Sequence, residues 1–241
     1  MLSLEQWLLI GGVVAAGGLL RGLAGFGSAL VLAPGIALML GARDGVVITV
    51  ILNALTLVQL VIPAAALTRR RIVVPMVVAA VIATPFGTHL LASVDAHALR
   101  RGIGAFSIVA AACMLVKIRV PSTTRVSASL AAGALSGFAT GVSGIGGPPA
   151  VLYLMSDRRT PGAVLRADFI VFLTFGQLAA VPPLFVLHVV TWPLVIIALE
   201  LVPLYVVATA LGAYGFRRFG NRSFTTLGAA IVVALGIVAL I

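Results

Sequence analysis

Two stretches of this chain break an apolar helical pattern with glycine, serine and proline: GLLRGLAGFGSALVLAP (18–34) and GALSGFATGVSGIGGPPAVLYL (133–154). A break leaves N–H and C=O groups unpaired, at a cost of about several kcal/mol each in hydrocarbon, so it survives only where protein or a wet cavity covers it. Apolar runs restart at Ser28 and at Gly146, and Pro148 and Pro149 suit a first helical turn, where no N–H partner is needed. A helix N-terminus carries about half a positive charge and free N–H donors, which makes an anion site without a cationic side chain. The candidate anion-binding positions are therefore Gly25, Phe26, Gly27 and Ser28 in the first stretch, with Ser143, Gly144, Gly146, Gly147 and Pro148 in the second. The competing use of small residues is close helix packing. Gly11, Gly12, Gly17 and Gly18 are assigned to that use.

Polar side chains within apolar segments are expensive and mark pathways. Asn53, Thr56 and Gln59 recur every three residues, Thr174 and Gln177 repeat the pattern, and Asp168 extends it. These neutral groups could donate to anion oxygens, or could bond helix to helix. Arg21 falls within the first glycine-broken stretch and is the candidate countercharge for a substrate; the alternative is an arginine that snorkels to the interface. Glu200, mid-span in VVTWPLVIIALELVPLYVV, is with Asp168 a candidate for ion coupling, against the competing reading of a packed carboxyl. Arg166 reads equally as a cytoplasmic anchor and as a ligand. His89, His97 and His188 lie near segment ends without carboxylate or Cys at metal spacing, and Cys113 is alone, so no metal or cofactor is expected.

The elements that must hold these groups follow from composition. Of 241 residues, 61% are apolar and 9% charged, and the mean hydropathy is +1.23, beyond what a water-soluble domain tolerates. An all-α integral membrane protein is expected, and at roughly 20 residues per span the length allows about eight spans. The net charge of +10 reflects cytoplasmic loops rather than nucleic-acid binding. The first segment lacks a basic n-region and reads as a retained helix.

Apolar segments run over 4–20, 28–40, 46–67, 72–92, 103–116, 126–139, 146–155, 163–187, 189–213 and 224–241. Several are too short to span alone, and an internal repeat explains why. At an offset of 115, Gly18, Leu20, Gly22, Ala24, Ser28 and Pro34 fall on Gly133, Leu135, Gly137, Ala139, Ser143 and Pro149. At an offset of 118, Gln59, Pro75, Pro85 and Arg100 fall on Gln177, Pro193, Pro203 and Arg218. A duplication into residues 1–120 and 121–241 accounts for this.

Loop charge then orients the halves. If each half opens with a helical hairpin followed by three spans, one side collects 12 basic residues: Arg69, Arg70, Arg71, Lys117, Arg119, Arg125, Arg158, Arg159, Arg166, Arg217, Arg218 and Arg222. The other keeps Arg43, Arg100 and Arg101. Single crossings would divide the same charges 9 to 6, so the positive-inside bias favours hairpins, inverted repeats and both termini outside.

The two broken stretches together, RGLAGFGSALVLAP (21–34) and SGFATGVSGIGGPPAVLYL (136–154), resemble the sulfite exporter TauE/SafE family, also described as 4-toluene sulfonate uptake permeases. The resemblance covers the chain end to end. It implies a secondary transporter of small sulfur-containing or organic anions, such as sulfite, thiosulfate, sulfonates or sulfoacetate, in the cytoplasmic (inner) membrane. The midplane anion site follows from the residues themselves; the preference for sulfur comes from the family alone.

The expected partners are the anion, the bilayer and a coupling proton or sodium ion; a homodimer is compatible with the Gly- and Ala-rich faces. No GxxxxGK[ST] motif is present, and no enzymatic activity is expected. Two other functions compete. An anion channel could use the same site. A rhomboid-like serine protease would use the GxSG pattern of Gly141, Val142, Ser143 and Gly144 with His188, but Ser143 repeats Ser28, and a protease has no need of two symmetric breaks.

Overall fold

The computed structural model describes residues 3–55, 57–115, 126–157 and 159–219. All elements among them are helices: α1 (Leu4–Ala24), α2 (Ser28–Leu40), α3 (Ala42–Leu55), α4 (Leu57–Ala65), α5 (Arg70–Ser93), α6 (Ala96–Leu115), α7 (Val126–Ser143), α8 (Gly147–Leu154), α9 (Gly162–Val186) and α10 (Trp192–Phe219). Thr56, the side chains of Cys113 and Arg217, the apolar segment 224–241, and Lys117, Arg119, Arg125, Arg158 and Arg222 of the charge count lie outside the described residues.

Helices α1, α5, α7, α9 and α10 are each long and apolar enough to cross a membrane. Their outward faces agree, since Ile82 and Phe86 on α5 and Val207 and Leu211 on α10 are exposed. Such a surface would aggregate in water but costs nothing in lipid. The chain is a multi-pass membrane protein.

Local chemistry sets the helix ends. Ser3 and Gln6 form a reciprocal capping box at the start of α1. Contrary to the sequence expectation, α1 does not break around Arg21 but runs to Ala24. Its glycines stay helical because α10 presses on them: a Cβ on Gly22 would meet the Thr209 carbonyl and the Gly212 Cα. The break is confined to residues 25–27, where Gly25 (φ 80°) and Gly27 (φ 93°) take left-handed conformations that a side chain would strain. Arg21 thus occupies the last turn of α1.

The apolar segment 46–67 falls on two helices, α3 and α4, which together pass as one span with a 55° bend between Ala42–Leu55 and Gln59–Ala65. Pro63 supplies no N–H to the turn before it, and its ring crowds the carbonyl four residues back, which weakens the helix close to the bend.

The most extensive packing joins helices distant in sequence. Gly18 abuts Tyr205 and Ala208, and Gly22 abuts Thr209 and Gly212, so α1 and α10 run in the same direction. Gly133, Gly137 and Gly141 abut Met76, Ala80 and Thr84, so α7 runs in the same direction as α5. Arg69, preceding α5, binds Asp157, Thr160 and Asp168 near the start of α9, which puts the first turns of α5 and α9 at one end. A short turn then reverses α9 into α10. It follows that α10 opposes α5, and α1 opposes α7.

Three apolar cores hold these helices. The first centres on α1, α2, α3 and α10 through Ile10, Val14, Leu32, Ile36, Ile48 and Tyr205, and takes in Leu91 of α5, Leu99 and Ile103 of α6, and Ala180 and Leu184 of α9. The second joins α5, α7, α8 and α9 through Met76, Ala80, Val151, Leu154, Phe169 and Phe172. The third bridges α4, α9 and α10 through Leu60, Ala64, Ile170 and Ala213.

Candidate functional site

Both helix restarts open onto one cavity of about 400 Å³, its mouth included. From α2 it receives Ser28, and from the residues preceding α2 come Gly25, Phe26 and Gly27. From the second break come Gly146 and Gly147, while α1 adds Arg21, α3 adds Asn53 and α9 adds Thr174 and Gln177. Helix α2 leaves the cavity toward the end where Arg43 donates to the Ala92 and Val94 carbonyls at the C-terminus of α5. Helix α8 leaves toward the opposite end, where Asp157 meets Arg69. The two N-termini therefore point at the cavity from opposite directions.

The backbone N–H groups of Ser28, Ala29, Gly146 and Gly147 donate to no backbone acceptor among the described residues. Their partial positive charge adds to that of Arg21, which is 7% exposed. The Arg21 guanidinium donates to Asn53 Oδ1 and, at 3.3 Å, to Thr174 Oγ1. Both acceptors are neutral. Among the described residues no carboxylate lies within ion-pair distance of it; the two ion pairs found there both belong to Arg69.

Asn53 is the hub of this polar cluster. Its Oδ1 also accepts from the Ser28 hydroxyl at 2.9 Å and from the Tyr205 hydroxyl at 2.7 Å, while its Nδ2 donates to the Thr49 carbonyl at 2.9 Å. Tyr205 is fully buried on α10 and was not foreseen. The available signal was a phenol mid-way along an apolar span, which needs a polar partner for its O–H. Phe26 closes one wall by an edge contact with Phe169, ring centroids 4.9 Å apart.

The second break is held by its own side chains. Ser143 Oγ donates to the Ala139 carbonyl at 2.8 Å and accepts from the Ile145 N–H at 3.2 Å. Gln177 Nε2 donates to the Gly144 carbonyl at 2.7 Å. Ser143, Gly144 and Pro148 thus shape the break without lining the cavity. Gly146 has no room for a side chain, because a Cβ would meet Thr140 Oγ1 and, at 2.7 Å, the Ser136 carbonyl. A Gly146→Ala variant is expected to lose about 1–3 kcal/mol by overpacking. Thermal unfolding in detergent checks this; an unchanged melting temperature would contradict it.

Four expected site residues lie elsewhere or serve other ends. Gln59 Nε2 donates to the Val206 carbonyl of α10, away from the cavity. Asp168 is fully buried but is committed to Arg69, accepting from its backbone N–H at 2.8 Å and its Nε at 2.7 Å. Glu200 is exposed on the outer face of α10 near Ile196 and Leu199. Neither carboxylate reaches the cavity, so Glu200→Gln is expected to leave anion flux and its pH profile unchanged. A shifted pH profile would restore Glu200 to the mechanism. Arg166 donates to the Gly22 carbonyl and, at 3.3 Å, to the Leu23 carbonyl, with its guanidinium 4.5 Å from the Phe216 ring. A cation at those carbonyls caps the C-terminus of α1, which fixes where the break begins.

Asp157 belongs to the Arg69 cluster at the end where α5 and α9 begin. The hydrogen bond from the Thr160 hydroxyl, then that from the Arg159 N–H, and then the Arg69 charge hold its carboxyl below the usual carboxylate range. A depressed carboxylate stabilises the fold above its unfolded-state pKa, and this contribution fades as pH falls through the folded value.

Of the pair weighed for proteolysis, Ser143 and His188, neither lines the cavity. The Ser143 proton is committed to a backbone carbonyl, and His188 is exposed in the turn after α9. What the cavity lining offers is the Arg21 guanidinium and free N–H donors, with no carboxylate among the described residues that line it. No curated protein and no solved structure matches the chain. The model of the sulfite exporter TauE/SafE family matches residues 9–239, nearly the whole length, and the chain belongs to that family.

Proposed function

We propose that the chain is a secondary transporter that moves small sulfur-containing or organic anions, among them sulfite, thiosulfate, sulfonates and sulfoacetate, across the cytoplasmic membrane. Membership of a sulfite exporter family implies a membrane anion transporter rather than an enzyme. One observation carries the assignment of the site: Arg21 is buried in a cavity that two helix N-termini face, with no carboxylate among the described residues at ion-pair distance to neutralise it. A buried cation is costly unless paired. A transported anion completes that pair for part of the cycle and leaves it on release.

The repeat units are residues 1–120 and 121–241 in inverted orientation. The opposed directions of α1 and α7 and the convergence of α2 and α8 from opposite sides support this. Each half lends its opening helix to the other, since α1 packs on α10 and α7 on α5. One repeat then moves against the other around the anion held in the cavity. Alternating access uses their shared boundary at the cavity.

Counterflow tests the carrier. Proteoliposomes loaded with unlabelled sulfite are expected to accumulate labelled sulfite transiently above its equilibrium level. A channel gives only equilibration, which would replace this reading with that of an anion channel.

A further inference from the structure

One residue that lines the cavity, Gln177, carries an unmatched acceptor. Gln177 is 5% exposed, and its Oε1 has no hydrogen-bond donor among the described residues. Its orientation is not free. Nε2 donates to the Gly144 carbonyl at 2.7 Å, and turning the amide over would set two acceptor oxygens against each other. Of the other buried atoms without partners among the described residues, the hydroxyls, such as Thr49 Oγ1, can rotate to donate or accept, and the amide oxygen of Gln59 belongs to a residue outside the cavity lining. An amide oxygen can only accept. A buried acceptor left unmade carries a penalty that a bound donor removes.

We propose that Gln177 selects, among anions, those of single negative charge that also carry an O–H, such as hydrogensulfite or a hydroxyalkanesulfonate. The charge follows from Arg21, the one cationic side chain lining the cavity among the described residues, and the O–H from Gln177 Oε1. The anion's oxygens take the guanidinium and the free N–H groups at Ser28, Ala29, Gly146 and Gly147. Its hydroxyl donates to Gln177. This deepens the transport reading above and rests on it.

The test is equilibrium binding to the purified full chain in detergent, at one pH, of two isosteric sulfonates: hydroxymethanesulfonate, which carries the O–H, and ethanesulfonate, which carries a methyl group in its place. Hydrogensulfite and chlorate form a second pair of similar size. The donor-bearing member is expected to bind roughly tenfold tighter in each pair. In Gln177→Met the ratio is expected to fall to about one, because the acceptor is gone.

Equal binding within both pairs would overturn the selectivity while leaving anion transport intact. A preference that persists in Gln177→Met would overturn its assignment to Gln177. Failure of all four anions to bind would sink the anion site itself, and the selectivity with it. The ratio in the unsubstituted chain is decisive even if the variant does not fold.

Discussion

Replacement of Arg21 by methionine is expected to reduce sulfite flux by roughly a hundredfold or more while leaving the fold as stable as before. Truncating one partner of a buried charge pair costs about 2–5 kcal/mol, and each 1.4 kcal/mol is about tenfold in affinity. The stability half of the prediction comes from the protein partners of Arg21. Among the described residues these are only the neutral acceptors Asn53 and Thr174, so methionine removes a desolvated cation and keeps the apolar stem. Arg21→Lys keeps the charge but loses the planar fork, so its flux is expected to lie between the two. Reconstituted flux and detergent melting curves measured together separate this from a structural role. A variant that loses flux and unfolds early would make Arg21 a structural residue.

Removing Asp168 is expected to do the reverse. Asp168→Ala should lower stability by about 3–5 kcal/mol, because it leaves the Arg69 guanidinium, 22% exposed at its side chain, without its shorter ion pair. Arg69 also donates to Thr160 Oγ1 at 2.6 Å, so this one side chain ties the turn before α5 to α9 and to the loop after α8. Asp157→Ala removes only the more exposed partner and is expected to move the melting temperature little. Chemical or thermal unfolding of the two variants side by side checks the ranking, and equal effects would contradict it.

The same residues show how far a sequence of this kind can be read. Helix α2 begins at Ser28 and ends at Leu40, the bounds of the apolar run, because glycines flank it at both ends and each marks a real change of backbone. The cavity was legible because a helix broken in hydrocarbon must face protein or water, and both breaks announce themselves by composition. Asp168 was misplaced by its spacing. An i+3 series drifts by about 60° per step, so three steps from Gln177 turn the side chain to roughly the opposite face. Gln59 left its stripe through the same drift and the bend ahead of Pro63. Glu200 sits mid-span, but hydropathy cannot say which face of α10 turns outward. Tyr205 and Arg166 act only through tertiary contacts, with Asn53 and with the end of α1, and no local pattern encodes those.

The central claim is that this cavity carries anions across the membrane, and radiolabelled sulfite uptake into proteoliposomes tests it most directly. The expected result is saturable flux above that of protein-free liposomes, competed by thiosulfate, sulfoacetate and toluene sulfonate, and abolished in Arg21→Ala. Flux no greater than that of protein-free liposomes would contradict the transport assignment, and full flux in Arg21→Ala would remove the cavity from the path.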